Sequence, residues 1–191
     1  MSFPETGRMN TKKHSNQIDK YKAKRDFSRT PEPTGSRGAD ASPRTRRKYV
    51  VQRHEARSLH YDFRLEADGV LKSWAVPKGP PAKSGEKRLA IMVEDHPLSY
   101  ASFEGTIPEG NYGAGDVKIW DDGWYEPEAG GSDKTILANL KKGKLDVTLH
   151  GRRLKGRYLL TRFKNAGGDQ WLLIKIKNKT SRGKAGAQRS K

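Results

Sequence analysis

The chain has 191 residues, 39 Lys and Arg against 22 Asp and Glu, a formal net charge of +17 and no cysteine. This length accommodates one domain with tails, and the missing cysteine excludes disulfides, a thiolate nucleophile and a Cys-ligated zinc while fitting a reducing, cytoplasmic compartment. No run of about 20 apolar residues is present to cross a membrane, and the N-terminus lacks the apolar core of a signal peptide.

The charge is unevenly placed. Residues 1–50 hold 13 basic against 5 acidic side chains, residues 51–150 hold 13 against 16, and residues 151–191 hold 13 against 1. A slightly acidic body between strongly basic ends points to arms that attract a polyanion, nucleic acid first, because phosphate contacts dominate such affinity. The alternative is a tail that merely aids solubility.

In chain order, residues 1–47 form a basic arm, with Gly35–Arg47 reading as disordered. Within it, residues 19–33 contain Arg25, Asp26, Phe27 and Glu32 and are expected to fold over the body. From Lys48 the signals are those of strands: Lys48–Arg53, Ser58–Glu66, Val70–Val76, Arg88–Glu94, Tyr100–Gly105, Gly115–Asp121, Lys144–His150, Gly156–Arg162 and Gln170–Lys177. Asp68-Gly69 accepts positive φ and predicts a tight hairpin. One helix is expected, capped by Ser132 or Asp133 and ended by Gly143, with Ile136, Leu137 and Leu140 as its apolar stripe. The prediction is a mainly β fold: a small antiparallel barrel or strongly curved sheet of about eight strands, spanning 48–177, followed by a disordered basic tail over 178–191. The four tryptophans are read as core more readily than as base-stacking platforms.

The most informative stretch is 51–65. His60, Asp62 and Arg64 alternate with Tyr61, Phe63 and Leu65, so an extended strand places the polar set on one face and the apolar set on the other. His54 keeps the same parity, and a short link over Glu55–Ser58 would bring it beside His60. Two imidazoles and one carboxylate suit a divalent metal with open positions, and Arg64 suits an anion clamp. Hydrogen-bonded structural histidines are the bland alternative. His96 sits at a strand-to-turn junction, where it is either a turn histidine or a proton donor to bound phosphate. Lys78 and Arg88 are cations that join a phosphate clamp only if brought near Arg64. The Gly-rich segment 105–115 lacks the Gly-Lys-Ser/Thr ending of a P-loop and reads as a wide loop able to approach a substrate, or as a structural turn.

Taken together, Gln52-x-His54-x5-His60-x-Asp62-x-Arg64, Trp74-Ala75-Val76-Pro77-Lys78-Gly79-Pro80, Glu94-Asp95-His96-Pro97-x2-Tyr100, and the run from Phe103-Glu104-Gly105 to Gly113-Ala114-Gly115 resemble the 3′-phosphoesterase domain of bacterial DNA ligase D, from about Asp19 to about Lys177. The resemblance implies removal of 3′-phosphates and trimming of 3′-terminal ribonucleotides in DNA strand-break repair by non-homologous end joining. It implies a divalent metal, manganese before zinc or cobalt, on His54, His60 and Asp62. Arg64 and Arg88, with Lys78 weaker, would contact phosphate. His96 would be the essential histidine, and Tyr100 would act with it. Gln52, Glu94, Arg25, Asp26 and Glu32 would support the site. It implies action on DNA or RNA–DNA 3′ ends. The chain departs from the family in having no room for the ligase and polymerase modules that usually accompany this domain, so a free-standing, nucleoid-associated monomer with separate ligase, polymerase or end-binding proteins is expected. The rival readings are a non-catalytic nucleic-acid-binding module and a non-haem iron oxygenase using His60, Asp62 and His96.

Overall fold

Short runs of β-branched and aromatic residues, each closed by Gly, Pro, Asp or Asn, favour strands over helices. In the computed structural model, which describes residues 18–35, 46–163 and 169–177, they form ten strands. These are β1 (Arg47–Glu55), β2 (Leu59–Ala67), β3 (Val70–Val76), β4 (Lys87–Met92), β5 (His96–Pro97), β6 (Gly105–Ile107), β7 (Gly115–Pro127), β8 (Lys144–Gly151), β9 (Lys155–Arg162) and β10 (Gln170–Lys175). One helix, α1 (Asp133–Lys141), joins β7 to β8. Ser132 caps it by accepting from the Thr135 N–H, and Gly143, at φ 79°, ends it. The expected arm over 1–17 and 36–45 and the expected tail over 178–191 lie outside the described residues.

The strands run β1-β2-β3-β4-β10-β9-β8-β7, and β7 pairs again with β1, closing an eight-stranded antiparallel barrel. Closure removes the free edges that an open sheet of this size would expose. β5 and β6 are short additions on β3 and β7. The β2–β3 turn falls at Asp68-Gly69 with φ of 54° and 76°, the two left-handed conformations that a two-residue hairpin of this twist requires. A bulge between Val51 and Gln52, opposite Ile119–Asp121, sharpens the bend of the β1–β7 wall. Among the described residues no helix is long and apolar enough to cross a membrane.

The barrel encloses one apolar cluster that includes Tyr49, Val51, Phe63, Leu65, Trp74, Leu145, Tyr158 and Trp171. Trp74 and Trp171 meet edge to face with ring centroids 5.8 Å apart. Trp120 and Trp124 are only partly buried; Trp124 stacks on His150 at 3.6 Å. A second cluster of Tyr21, Leu71, Tyr100, Phe103, Ile107 and Val117 lies on the outer side of the wall. It buries both faces of β2, where a simple alternation leaves one face to solvent.

Two expected strand boundaries are corrected. Tyr100–Gly105 is not a strand: Leu98–Ser102 form a 3-10 helix, and the next strand begins only at Gly105. The physical cause is lateral capture, because the Gln52 side-chain amide donates to the Tyr100 and Phe103 carbonyls at 3.0 and 2.8 Å, taking the place of a ladder partner. β1 also runs past the expected end at Arg53 to Glu55, so His54 lies on the strand itself and the link shortens to Ala56–Ser58.

One buried carboxylate closes the far side of the barrel. Asp121 accepts from the Arg152, Arg153 and Leu154 amides and from the Tyr49 hydroxyl, at 2.7–3.0 Å. The β8–β9 turn wraps this carboxylate so closely that a Cβ at Gly151 would overlap the Tyr49 hydroxyl. Asp121→Ala therefore strands several buried donors at once and is expected to destabilise the fold by about 3–5 kcal/mol. Urea unfolding with an unchanged m-value measures this; a loss below about 1 kcal/mol would contradict it.

Candidate metal centre

The antiparallel register sets His54 directly opposite His60 and Gln52 opposite Asp62. All four side chains, with Arg64, share the face of the wall turned away from the barrel core. The imidazole centroids of His54 and His60 are 4.7 Å apart. One ligand atom from each of His54, His60 and Asp62 lies within 4.8 Å of the others. Two imidazoles and one carboxylate at this spacing can hold a divalent metal.

The tautomers are set by backbone carbonyls. His54 Nε2 is 2.9 Å from the Gly113 carbonyl, and His60 Nδ1 is 2.9 Å from the Ser58 carbonyl. A carbonyl only accepts, so each of these nitrogens carries a proton, which turns His54 Nδ1 and His60 Nε2 toward the cluster as the candidate ligand atoms. Those two atoms face the Asp62 carboxylate at 3.5 and 3.7 Å. Burial pushes the Asp62 carboxyl up, but the Arg64 guanidinium chiefly outweighs it and holds the group well below the usual carboxylate range. The donors are thus oriented and ionised as metal binding requires.

Arg64 is buried beside them. Its Nε donates to Gln52 Oε1 at 2.8 Å and its Nη2 to Asp62 Oδ2 at 3.0 Å. Nη1 is buried with no hydrogen-bond partner among the described residues. The guanidinium lies over the Tyr100 ring at 4.8 Å. A buried donor left open next to a three-ligand cluster suits an incoming anion.

The leader, helical over residues 18–23, closes the other side. Arg25 donates to Glu32 at 2.8 Å, to Glu94 at 3.3 Å and to the Tyr21 carbonyl. Its Nη2 is 3.3 Å from His96 Nε2. Buried Glu32 also accepts from the Tyr100 hydroxyl at 3.0 Å and from Thr30. The Tyr100 hydroxyl is thus committed to Glu32, and its ring is the part that faces Arg64 and His96, 4.8 Å from the latter. His96 lies 2.9 Å from the Glu94 carbonyl through Nδ1, which makes Nδ1 the protonated nitrogen and Nε2 the acceptor from Arg25. Burial and then the charges of Arg64 and Arg25 push the His96 pKa well below its ordinary value, so the ring is neutral.

Of the residues expected at the site, His54, His60, Asp62, Arg64, Gln52, Glu94, His96, Tyr100, Arg25 and Glu32 are joined in this single network. Asp26 is exposed and accepts from Ser28, holding the leader's turn. Lys78 is exposed on the turn after β3. Arg88 pairs with Glu86 and the Lys87 carbonyl, on the face of β4 that opposes core residue Leu173. The Lys78 and Arg88 side chains are therefore not brought onto the cluster. Ser73, 3.4 Å from His96 Nδ1, and Lys24, 3.0 Å from Glu94, join the network without having been marked by the motifs. Ser73 had a legible signal, a small polar residue sharing the outward parity of Arg64, its cross-strand partner. Lys24 had none.

The rival triad of His60, Asp62 and His96 is not assembled, since the second imidazole of the cluster is His54. Comparison with known proteins points the same way as the geometry. Residues 52–162 match the family model described as the DNA ligase D 3′-phosphoesterase domain. The chain is 50% identical over 169 residues to the multifunctional non-homologous end joining protein LigD of Pseudomonas aeruginosa, covering 88% of this chain and 19% of that one. It is 48% identical over 166 residues to the LigD repair protein of Mycobacterium tuberculosis, covering 86% and 20%, and 44% identical over 167 residues to LigD of Mycolicibacterium smegmatis, covering 86% and 21%. The chain thus spans about a fifth of the length of these relatives, and by the matched residues and this identity it belongs to the DNA ligase D 3′-phosphoesterase domain family.

Proposed function

We propose that this chain is a metal-dependent phosphoesterase that processes DNA 3′ ends, removing 3′-phosphates and trimming 3′-terminal ribonucleotides during strand-break repair by end joining. The observation that carries the reading is Arg64, a buried guanidinium with one nitrogen unpartnered beside the His54, His60 and Asp62 donors. Metal-type ligands alone suit many chemistries; an open, desolvated cation next to them selects an anionic substrate group.

A divalent cation on His54 Nδ1, His60 Nε2 and Asp62 would supply Lewis-acid charge neutralisation at the phosphoryl group. The imidazole donors favour manganese, zinc or cobalt over magnesium, and manganese is the family's preferred ion. Arg64 Nη1 would take a phosphoryl oxygen while Gln52 and Asp62 hold the guanidinium plane fixed. Hydrolysis makes a bond from phosphorus to water and breaks the one to the 3′-oxygen, so charge builds on the equatorial oxygens and the leaving oxygen needs a proton. His96 is neutral because it is buried and, after that, because two guanidinium charges bear on it. A phosphate dianion offsets both, so Nε2 can gain a proton and deliver it to the leaving 3′-oxygen. Lys78 and Arg88 would meet the strand farther from the reacting group, and the basic flanks would raise affinity for any nucleic acid. The partners would be separate ligase, polymerase and end-binding proteins, the protein working as a nucleoid-associated monomer.

Two outcomes test this reading. On a labelled primer-template ending in a 3′-phosphate, wild type is expected to release phosphate with manganese and to stop in EDTA, and His60→Ala is expected to lose turnover while unfolding within a few degrees of wild type. Full activity in His60→Ala, or in EDTA, would remove the metal assignment. Arg64→Lys keeps a charge but loses the planar fork, so kcat/KM should fall on the order of 100-fold or more; a change under threefold would show that Arg64 does not hold the phosphate.

A further inference from the structure

The loop between β6 and β7 does more than connect strands. Two tight turns bracket Tyr112: the Asn111 amide donates to the Pro108 carbonyl and the Ala114 amide to the Asn111 carbonyl, both at 3.2 Å. Gly110 and Gly113 take φ of 83° and 76°, conformations that side chains resist. The Asn111 side chain ties the loop to the Arg29 carbonyl of the leader. The Gly113 carbonyl is the acceptor that orients His54. The loop is therefore pinned to the metal centre one residue away from Tyr112.

The Tyr112 ring nevertheless stays 47% exposed, whereas Tyr21, Tyr100 and Phe103 nearby are buried. The ring is oriented rather than loose. Its hydroxyl accepts from Lys24 at 3.2 Å, and the Lys24 ammonium and Arg25 guanidinium, both also paired with Glu94, lie over the ring at 4.5 and 5.5 Å from its centroid. A half-open aromatic held under two cations gives a π surface next to positive charge that attracts phosphate, the pairing that binds an unstacked nucleotide.

We propose that Tyr112 forms a binding subsite for the terminal nucleoside of the processed strand, stacking on its base while the cluster holds its 3′-phosphate. The proposal rests on the phosphoesterase reading and adds the group that positions the nucleoside. Lys24 and Arg25 orient the ring, so the leader shapes this subsite as well as the phosphate site.

The test compares wild type, Tyr112→Ala and Tyr112→Phe on two primer-templates with a 3′-phosphate, one ending in an intact nucleotide and one in an abasic residue. KM comes from phosphate release with manganese, and Kd from fluorescence polarisation of the same duplexes. Loss of one stacked base predicts a rise in KM of about five- to 100-fold for Tyr112→Ala on the intact end. The same variant should change KM less than about twofold on the abasic end, and Tyr112→Phe should recover most of the loss. An equal rise on both ends, or none on either, overturns the subsite; the former would make Tyr112 a latch for the leader. No phosphate release by wild type, with Kd still split by base and by Tyr112, would remove the catalytic reading and keep the subsite. No release and no split would remove both.

Discussion

The constraint on which the rest of this structure depends is the burial of Asp62 and Arg64 on the outer face of a barrel wall. A carboxylate and a guanidinium lose much hydration when covered, and the loss is tolerable only where each is paired and hydrogen-bonded. Here the pairing is mutual, with Gln52 on the far edge of the guanidinium and two imidazoles around the carboxylate. A face that carries such charges needs a cover that supplies polar partners as well as apolar packing. The 3-10 segment, the Gly-rich loop and the leader provide it.

That requirement explains why the leader belongs to the domain although it precedes the barrel. Arg25 reaches Glu32, Glu94 and His96, and Glu32 reaches Tyr100. Each contact satisfies a buried polar group that the barrel leaves open. The same contacts set the charge state of the site, because the Arg25 and Arg64 guanidinium groups act with burial to keep His96 neutral. The cover is thus part of the electrostatics and not only a lid. Asp121, the buried carboxylate at the β8–β9 turn, is instead satisfied by three backbone amides and the Tyr49 hydroxyl.

The β2 strand shows how far local pattern reaches. Alternation over 60–65 separates the polar and apolar faces correctly, because side-chain direction in a strand depends only on parity. Parity also brings His54 into line, and the Asp68-Gly69 turn and the Ser132-capped helix are legible from residue chemistry within a few positions. The failures come where a distant group decides. Tyr100–Phe103 has strand-like content but gives its carbonyls to Gln52, 48 residues away in sequence at Tyr100. Arg88 is a separate case: the resemblance makes it a phosphate contact, and its observed partners on β4 are Glu86 and the Lys87 carbonyl.

What the sequence by itself determined is the strand alternation, the mainly β class and the shared face of the candidate residues His60, Asp62 and Arg64, with His54 in the same parity, because each follows from composition and short-range spacing. Only the tertiary structure decided which His54 nitrogen is turned to the cluster, since the distant Gly113 carbonyl accepts the N–H of the other one. It alone left Arg64 Nη1 open, placed the leader against His96 and held Tyr112 at the rim. These depend on contacts between segments far apart in the chain, and such contacts are set by packing and hydrogen-bond satisfaction across the whole barrel rather than by any local run of residues.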